Sequence, residues 1–204
     1  MTYLPLEKQL KDLIMKYVVG DLIKMGREGK FDIIVHGCNC MGAMGSGIAK
    51  QIRSEFPSAY EIDQITESGD KSKLGTYTSV RVNELRVVNA YTQYNYGPKS
   101  GPDGGCPVDY DAINSVMVKL INDFPNARIG IPKIGAGLAG GDWAKIENII
   151  DAIDSDITCV IWSGDVVKHL EYCARHGGGF IARTIGGETG GNWLSPRTWF
   201  ETID

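Results

Sequence analysis

The stretch His36-Gly-Cys-Asn39-Cys-Met-Gly42-Ala-Met-Gly45-Ser-Gly47-Ile-Ala-Lys50 decides how this chain folds. A β-branched run, Ile33-Ile34-Val35, feeds an Asn and then a glycine-rich loop. The loop opens a helix whose apolar positions Ile48, Ala49, Ile52 and Phe56 recur at helical spacing. Removing Cβ atoms lets backbone N–H groups approach an anion, and the helix start adds unsatisfied donors and the positive end of its dipole. The same grammar returns at Ile129-Gly-Ile-Pro132-Lys-Ile-Gly135-Ala-Gly137-Leu-Ala-Gly140-Gly-Asp142-Trp143. Two cradles of this kind call for a ligand with two phosphates, or a diphosphate and a sugar.

The bulk composition limits the alternatives. A chain of 204 residues with 43% hydrophobic content and 26 glycines is long enough for one globular domain with a core, plus an appended segment. Residues 1–165 read as the domain, with a short helix at its start. Residues 166–204, rich in glycine and carrying Trp193, Trp199 and Phe200, read as an extension. With 25 acids against 21 bases, a net charge of −4 and no basic run, the chain is not expected to bind duplex nucleic acid, which needs a cationic footprint. Cys38, Cys40, Cys106, Cys159 and Cys173 form neither a paired metal pattern nor a disulfide framework, so no metal site is expected and a reducing, cytoplasmic setting is. No signal region is evident, and no apolar run approaches the ~20 residues that span a bilayer, so no membrane partner is expected.

Along the chain, residues 5–16 are predicted to be helical, and Tyr17 to Leu22 a strand and turn. Pro57 closes the helix after the first loop. Segments 73–82 and 85–91 form a hairpin about Asn83-Glu84, and 97–107 is a surface loop. Asp109 is placed to cap a helix bearing Ile113, Val116, Met117, Leu120 and Ile121. Strands follow at 128–134 and 157–162, with a helix between them that aligns Trp143, Ile146, Ile149, Ile150 and Ile153. Alternating strands and helices predict an α/β sandwich around a central sheet. Gly135-Ala-Gly137-Leu-Ala-Gly140 also fits a dinucleotide-binding fingerprint. That motif belongs in the first βα unit, however, with an acid ending the second strand, whereas here it lies two thirds along the chain and Asp154 and Asp156 precede the next strand.

The two loops, the Gly20-Asp21-Leu22 turn, the Leu74-Gly75-Thr76 entry to the hairpin and the Pro-x-Ile-Gly-x-Gly pattern together resemble the macrodomain family over residues 15–165. The resemblance implies a three-layer α/β/α sandwich with a central mixed sheet, and ADP-ribose bound in a cleft at its top. The form His-x-x-Asn followed by Met-Gly-Ser-Gly-Ile-Ala is most similar to the branch holding ADP-ribose 1''-phosphate phosphatases and glutamate ADP-ribosyl hydrolases. The lysine and aspartate of the latter fall in the Ala90-to-Gln93 stretch and at Ala139, so that pair is missing here.

By this resemblance Asp21 and Leu22 meet the adenine, Asn39 holds the distal ribose, and Gly45, Ser46, Gly47, Ile48, Gly135, Ala136, Gly137, Leu138, Ala139 and Gly140 cradle the diphosphate. Trp162 is placed to stack on adenine, or simply to fill the core. Asn39 has an alternative role in bridging its loop. His36 and Asp142 are the candidate catalytic pair for removing a terminal phosphate; a buried histidine and a helix-capping aspartate are the competing readings. A thiolate at Cys38 or Cys40 is a weaker candidate nucleophile. The expected partner is a small ADP-ribose derivative or an ADP-ribosylated macromolecule, with no cofactor. The rival functions are a non-catalytic ADP-ribose reader, an ADP-ribosyl or O-acetyl-ADP-ribose ester hydrolase, and an NAD-dependent oxidoreductase.

Overall fold

In a computed structural model the described residues are 15–164, apart from 98, 102, 103 and 154. Residues 5–14 of the predicted N-terminal helix and the 166–204 extension, with Cys173, lie outside them; at the end of that predicted helix Lys16 is instead extended, as the first residue of a strand paired with Thr158. The apolar run that feeds the first loop becomes β2 (Ile33–Asn39), buried along almost its whole length, as expected of a strand covered on both faces. Around it stand β1 (Lys16–Gly20), β3 (Tyr77–Val82), β4 (Leu85–Gln93), β5 (Ile129–Ile131) and β6 (Ile157–Trp162), in the order β1-β6-β5-β2-β4-β3. Only β3 runs antiparallel. It pairs with β4 through the predicted hairpin, whose Asn83 takes the left-handed conformation at φ 55°.

Strand parity divides the core into two layers. Ile34, Val87 and Val160 face α1 (Leu22–Arg27), α2 (Gly47–Glu55) and α3 (Pro57–Gln64), where Ile23, Ile52, Phe56 and Ala59 cover them. Ile33, Val35, Val88, Ile129, Ile131 and Cys159 face the other way, onto α4 (Tyr110–Asp123) and α5 (Trp143–Asp151). The result is the expected α/β/α sandwich. Asp109 caps α4 through Ala112 N–H at 2.8 Å, as its position predicts.

Two helices escaped the sequence reading. The first, α1, is only six residues long, and its start is signalled by Asp21, whose Oδ1 accepts from the N–H groups of Ile23 and Lys24. The second, α3, begins at Pro57: the proline that ends α2 also serves as the first residue of the next helix, a position where its missing N–H costs nothing. Of the predicted strand 128–134, only Ile129–Ile131 is extended. Beyond it the chain turns into the second loop, with Ile134 N–H donating to Pro132 C=O.

Because Ile52 is fully buried and anchors the helix that leaves the first loop, Ile52→Ala should lower unfolding free energy by about 2–5 kcal/mol in urea denaturation.

Candidate functional site

The five parallel strands all end at one edge of the sheet. From β2 the chain proceeds toward β4, while from β5 it proceeds the opposite way, toward β6. The crevice between the C-terminal ends of β2 and β5 is therefore the switch point at which open α/β sheets take their ligands. Both glycine loops start there, one leading to α2 on one face and the other to α5 on the opposite face. Their tips touch: Leu138 Cδ1, on a side chain 75% exposed, lies 3.3 Å from where a Cβ of Gly47 would stand.

The loops differ in how they are held. Asn39, 7% exposed, closes the first from within: its Oδ1 accepts from Met41 and Ala43 N–H at 3.1 Å, and its Nδ2 donates to Ala43 C=O at 2.8 Å. This is the bridging role, and it leaves one Nδ2 hydrogen for the crevice. From outside, Gln64 donates to Gly42 C=O at 2.9 Å, and Ser68 to Met41 C=O at 3.0 Å. In the second loop Gly135 is a packing position: at φ 74°, with Val108 only 2.8 Å from a would-be Cβ, it excludes every side chain. Gly45 and Gly137, by contrast, meet nothing within 4 Å and face open space. Among the described residues, the N–H groups of Gly45, Ser46, Gly47, Ile48, Gly137, Leu138 and Ala139 have no hydrogen-bond acceptor. The side chains of Leu22 and Ala139 are buried and that of Ala136 packs on the core, so these residues offer a ligand their backbone.

At the far end of the edge Gly20 pairs with Trp162, which sets Trp162, 47% exposed, beside Asp21. Trp162 is thus not a core residue. Its ring packs against Gly164, with a ring carbon 2.6 Å from the Cβ position there. The Oδ2 of Asp21 makes no hydrogen bond to any described residue.

The proposed catalytic pair is not assembled. His36 shares the parity of Ile34 and is 1% exposed, and its Nε2 lies 2.8 Å from Asn89 Oδ1 under the α3 layer. Burial pulls its pKa down to about 4, so the ring is neutral. Asp142 lies across the sheet as the exposed N-cap of α5, accepting from Ala144 N–H at 3.0 Å. A strand alternates its side chains between faces, so the two groups belong to different layers, and His36 does not reach the crevice. The thiols are no better placed as nucleophiles, since burial raises the pKa of both Cys38 and Cys40. The sequence reading also missed a cavity of about 360 Å³ beside the first loop, lined by Met44, Gly45, Lys50, Arg53 and Ser54. Nothing in the local sequence pattern singles out its cations, Lys50 and Arg53. Among the described residues, no group of His, Cys, Asp and Glu could hold a metal ion, and no helix is long and apolar enough to cross a membrane.

No family model matches the chain. It is 38% identical over 159 residues to an uncharacterized 17.5 kDa protein in the tk-vs intergenic region of Enterobacteria phage T4, an alignment covering 73% of this chain and 96% of that protein. An ADP-ribose 1''-phosphate phosphatase of Lodderomyces elongisporus is 27% identical, over 70% of this chain and 94% of the relative. A DNA ADP-ribosyl glycohydrolase of Mycobacterium tuberculosis is 24% identical, over 73% of this chain and 42% of its own length. The macrodomain of Mycobacterium tuberculosis DarG superposes with a TM-score of 0.53 at 20% identity, over 73% of this chain and 97% of that one. The chain belongs to the macrodomain family. The six-stranded sheet and the two loops at its parallel edge are thus the macrodomain architecture expected from the motifs.

The buried histidine gives this macrodomain a pH signature. The folded state holds His36 neutral down to about pH 4, whereas the unfolded chain takes up a proton near 6.5. Stability should therefore fall between pH 6.5 and 4, by up to about 3 kcal/mol from this residue alone. Denaturant titrations at stepped pH should show that fall, and His36→Gln should flatten it.

Proposed function

We propose that this macrodomain binds ADP-ribose in the crevice and hydrolyses ADP-ribose 1''-phosphate to ADP-ribose and phosphate. The observation that supports this most is the meeting of the loops at Gly47 and Leu138, with unpaired N–H groups on both sides. A diphosphate between them would satisfy donors from two directions, and the N-terminus of α2 adds its dipole. Adenine would lie against Trp162 and give its exocyclic amine to Asp21 Oδ2. The distal ribose would take the remaining N–H of Asn39. The relatives named as phosphatases and glycohydrolases support a hydrolase acting at that ribose.

In the proposed reaction a water molecule adds to phosphorus as the bond from phosphorus to the anomeric oxygen breaks. Asp142, at the end of the second loop, takes the water's proton, and solvent protonates the departing sugar oxygen. The backbone donors of the first loop stabilise the charge that builds on the phosphoryl oxygens. His36 has no part in proton transfer; with Asn89 it holds β2 and so positions the loop.

Calorimetry with ADP-ribose and NAD, together with assays of phosphate release, tests this reading. Asp21→Asn keeps the cap of α1 but loses an acceptor, so ADP-ribose affinity should fall by about tenfold or more. Asp142→Asn keeps the cap of α5 but removes the base, so turnover should fall by about 10²-fold or more with affinity retained. The separation of His36 from Asp142 favours a second reading, a binding module without catalysis. Tight ADP-ribose binding with no phosphate released by the wild-type protein would decide for it, and preference for NAD would overturn both.

A further inference from the structure

The proposed ADP-ribose site makes no use of the side chains that line the cavity beside the first loop. Its lining brings Lys50 and Arg53, one turn apart on α2, together with Ser54 and with Gly45 of the cradle. In a chain of net charge −4 these two cations stand without a carboxylate partner among the described residues. The acid at the end of α2, Glu55, is taken by Arg27 at 2.8 Å. Arg53 is also oriented, since its guanidinium lies 4.0 Å from the centroid of the Tyr60 ring. Like charges a turn apart repel, and an anion between them relieves that cost.

We propose that this cavity is a subsite for a phosphate beyond the diphosphate, the one a substrate carries on its distal ribose. The proposal rests on the ADP-ribose reading of the crevice. Gly45 is a residue of the first loop and also lines the cavity, so a ligand held by that loop reaches the cavity without leaving the protein surface. The oriented guanidinium offers a forked pair of donors that matches phosphate oxygens, Lys50 adds a mobile point charge, and Ser54 adds a hydroxyl. The phosphate can be the monoester of ADP-ribose 1''-phosphate or the phosphodiester of an ADP-ribosylated single strand. Either presents the same chemistry to Lys50 and Arg53.

Calorimetry should compare ADP-ribose, a non-hydrolysable phosphonate analogue of ADP-ribose 1''-phosphate, and a single-stranded oligonucleotide carrying ADP-ribose. Each is titrated into the full chain and into Lys50→Gln/Arg53→Gln. The wild-type protein should bind a phosphate-bearing ligand at least about tenfold tighter than ADP-ribose, the scale of one charge-assisted hydrogen bond. The double variant should lose that preference while its affinity for ADP-ribose stays within about twofold, because both side chains lie on the exposed face of α2. A gain with the analogue identifies the monoester as the source, and a gain with the oligonucleotide alone identifies the phosphodiester. A preference that survives in the double variant, or that never exists in the wild type, overturns the subsite and leaves the crevice reading intact. Failure of the wild type to bind ADP-ribose overturns that reading and the subsite with it.

Discussion

The parallel direction of five strands is the constraint on which the rest of this structure depends. Parallel strands need crossovers, crossovers need helices, and here α1, α2, α4 and α5 are each entered, directly or through a loop, from the C-terminal end of a parallel strand. Unsatisfied N–H groups therefore collect along one edge. Where the crossovers diverge, between β2 and β5, two such helix entries stand side by side without a helix filling the gap. The crevice is thus a consequence of topology, and the glycines keep it open.

A polar layer lies beneath the first loop. Tyr91 donates to the buried Asp63 at 2.7 Å, Lys73 donates to Thr66 at 2.7 Å with its ammonium over the Tyr91 ring, and His36 meets Asn89 at 2.8 Å. Burial and the bond to Asp63 push the Tyr91 hydroxyl well above its ordinary pKa, so it stays protonated and can donate. Asn89 donates in turn to Ala59 C=O at 2.7 Å, which ties β4 to α3. Such partnered groups fix relative positions more sharply than an apolar layer would, and here they fix α3, whose Gln64 grips the loop. His36 belongs to this scaffold, which explains why its place just before Asn39 reads in sequence as catalytic.

Much of the site was legible because glycine spacing and strand-to-helix transitions are local signals. Gly45, Gly137, Asp21 and Trp162 were all singled out, and all reach the parallel edge. The elements that were missed had weak local signatures: α1 is too short to show a period, and α3 starts at a proline that reads as a stop. The loop glycines also looked alike in sequence, although Gly135 is packed against Val108 while Gly137 faces open space. Only neighbours distant in the chain make that difference.

Apolar periodicity and capping residues were enough to predict an α/β sandwich, and the motifs of the two glycine loops carried the resemblance to macrodomains, because each depends on residues within a few positions of one another. Which face of the sheet each side chain occupies depends on strand pairing and on the helix that covers it. That is why the tertiary structure alone could bury His36, separate it from Asp142, and set Lys50 and Arg53 around a cavity beside the first loop.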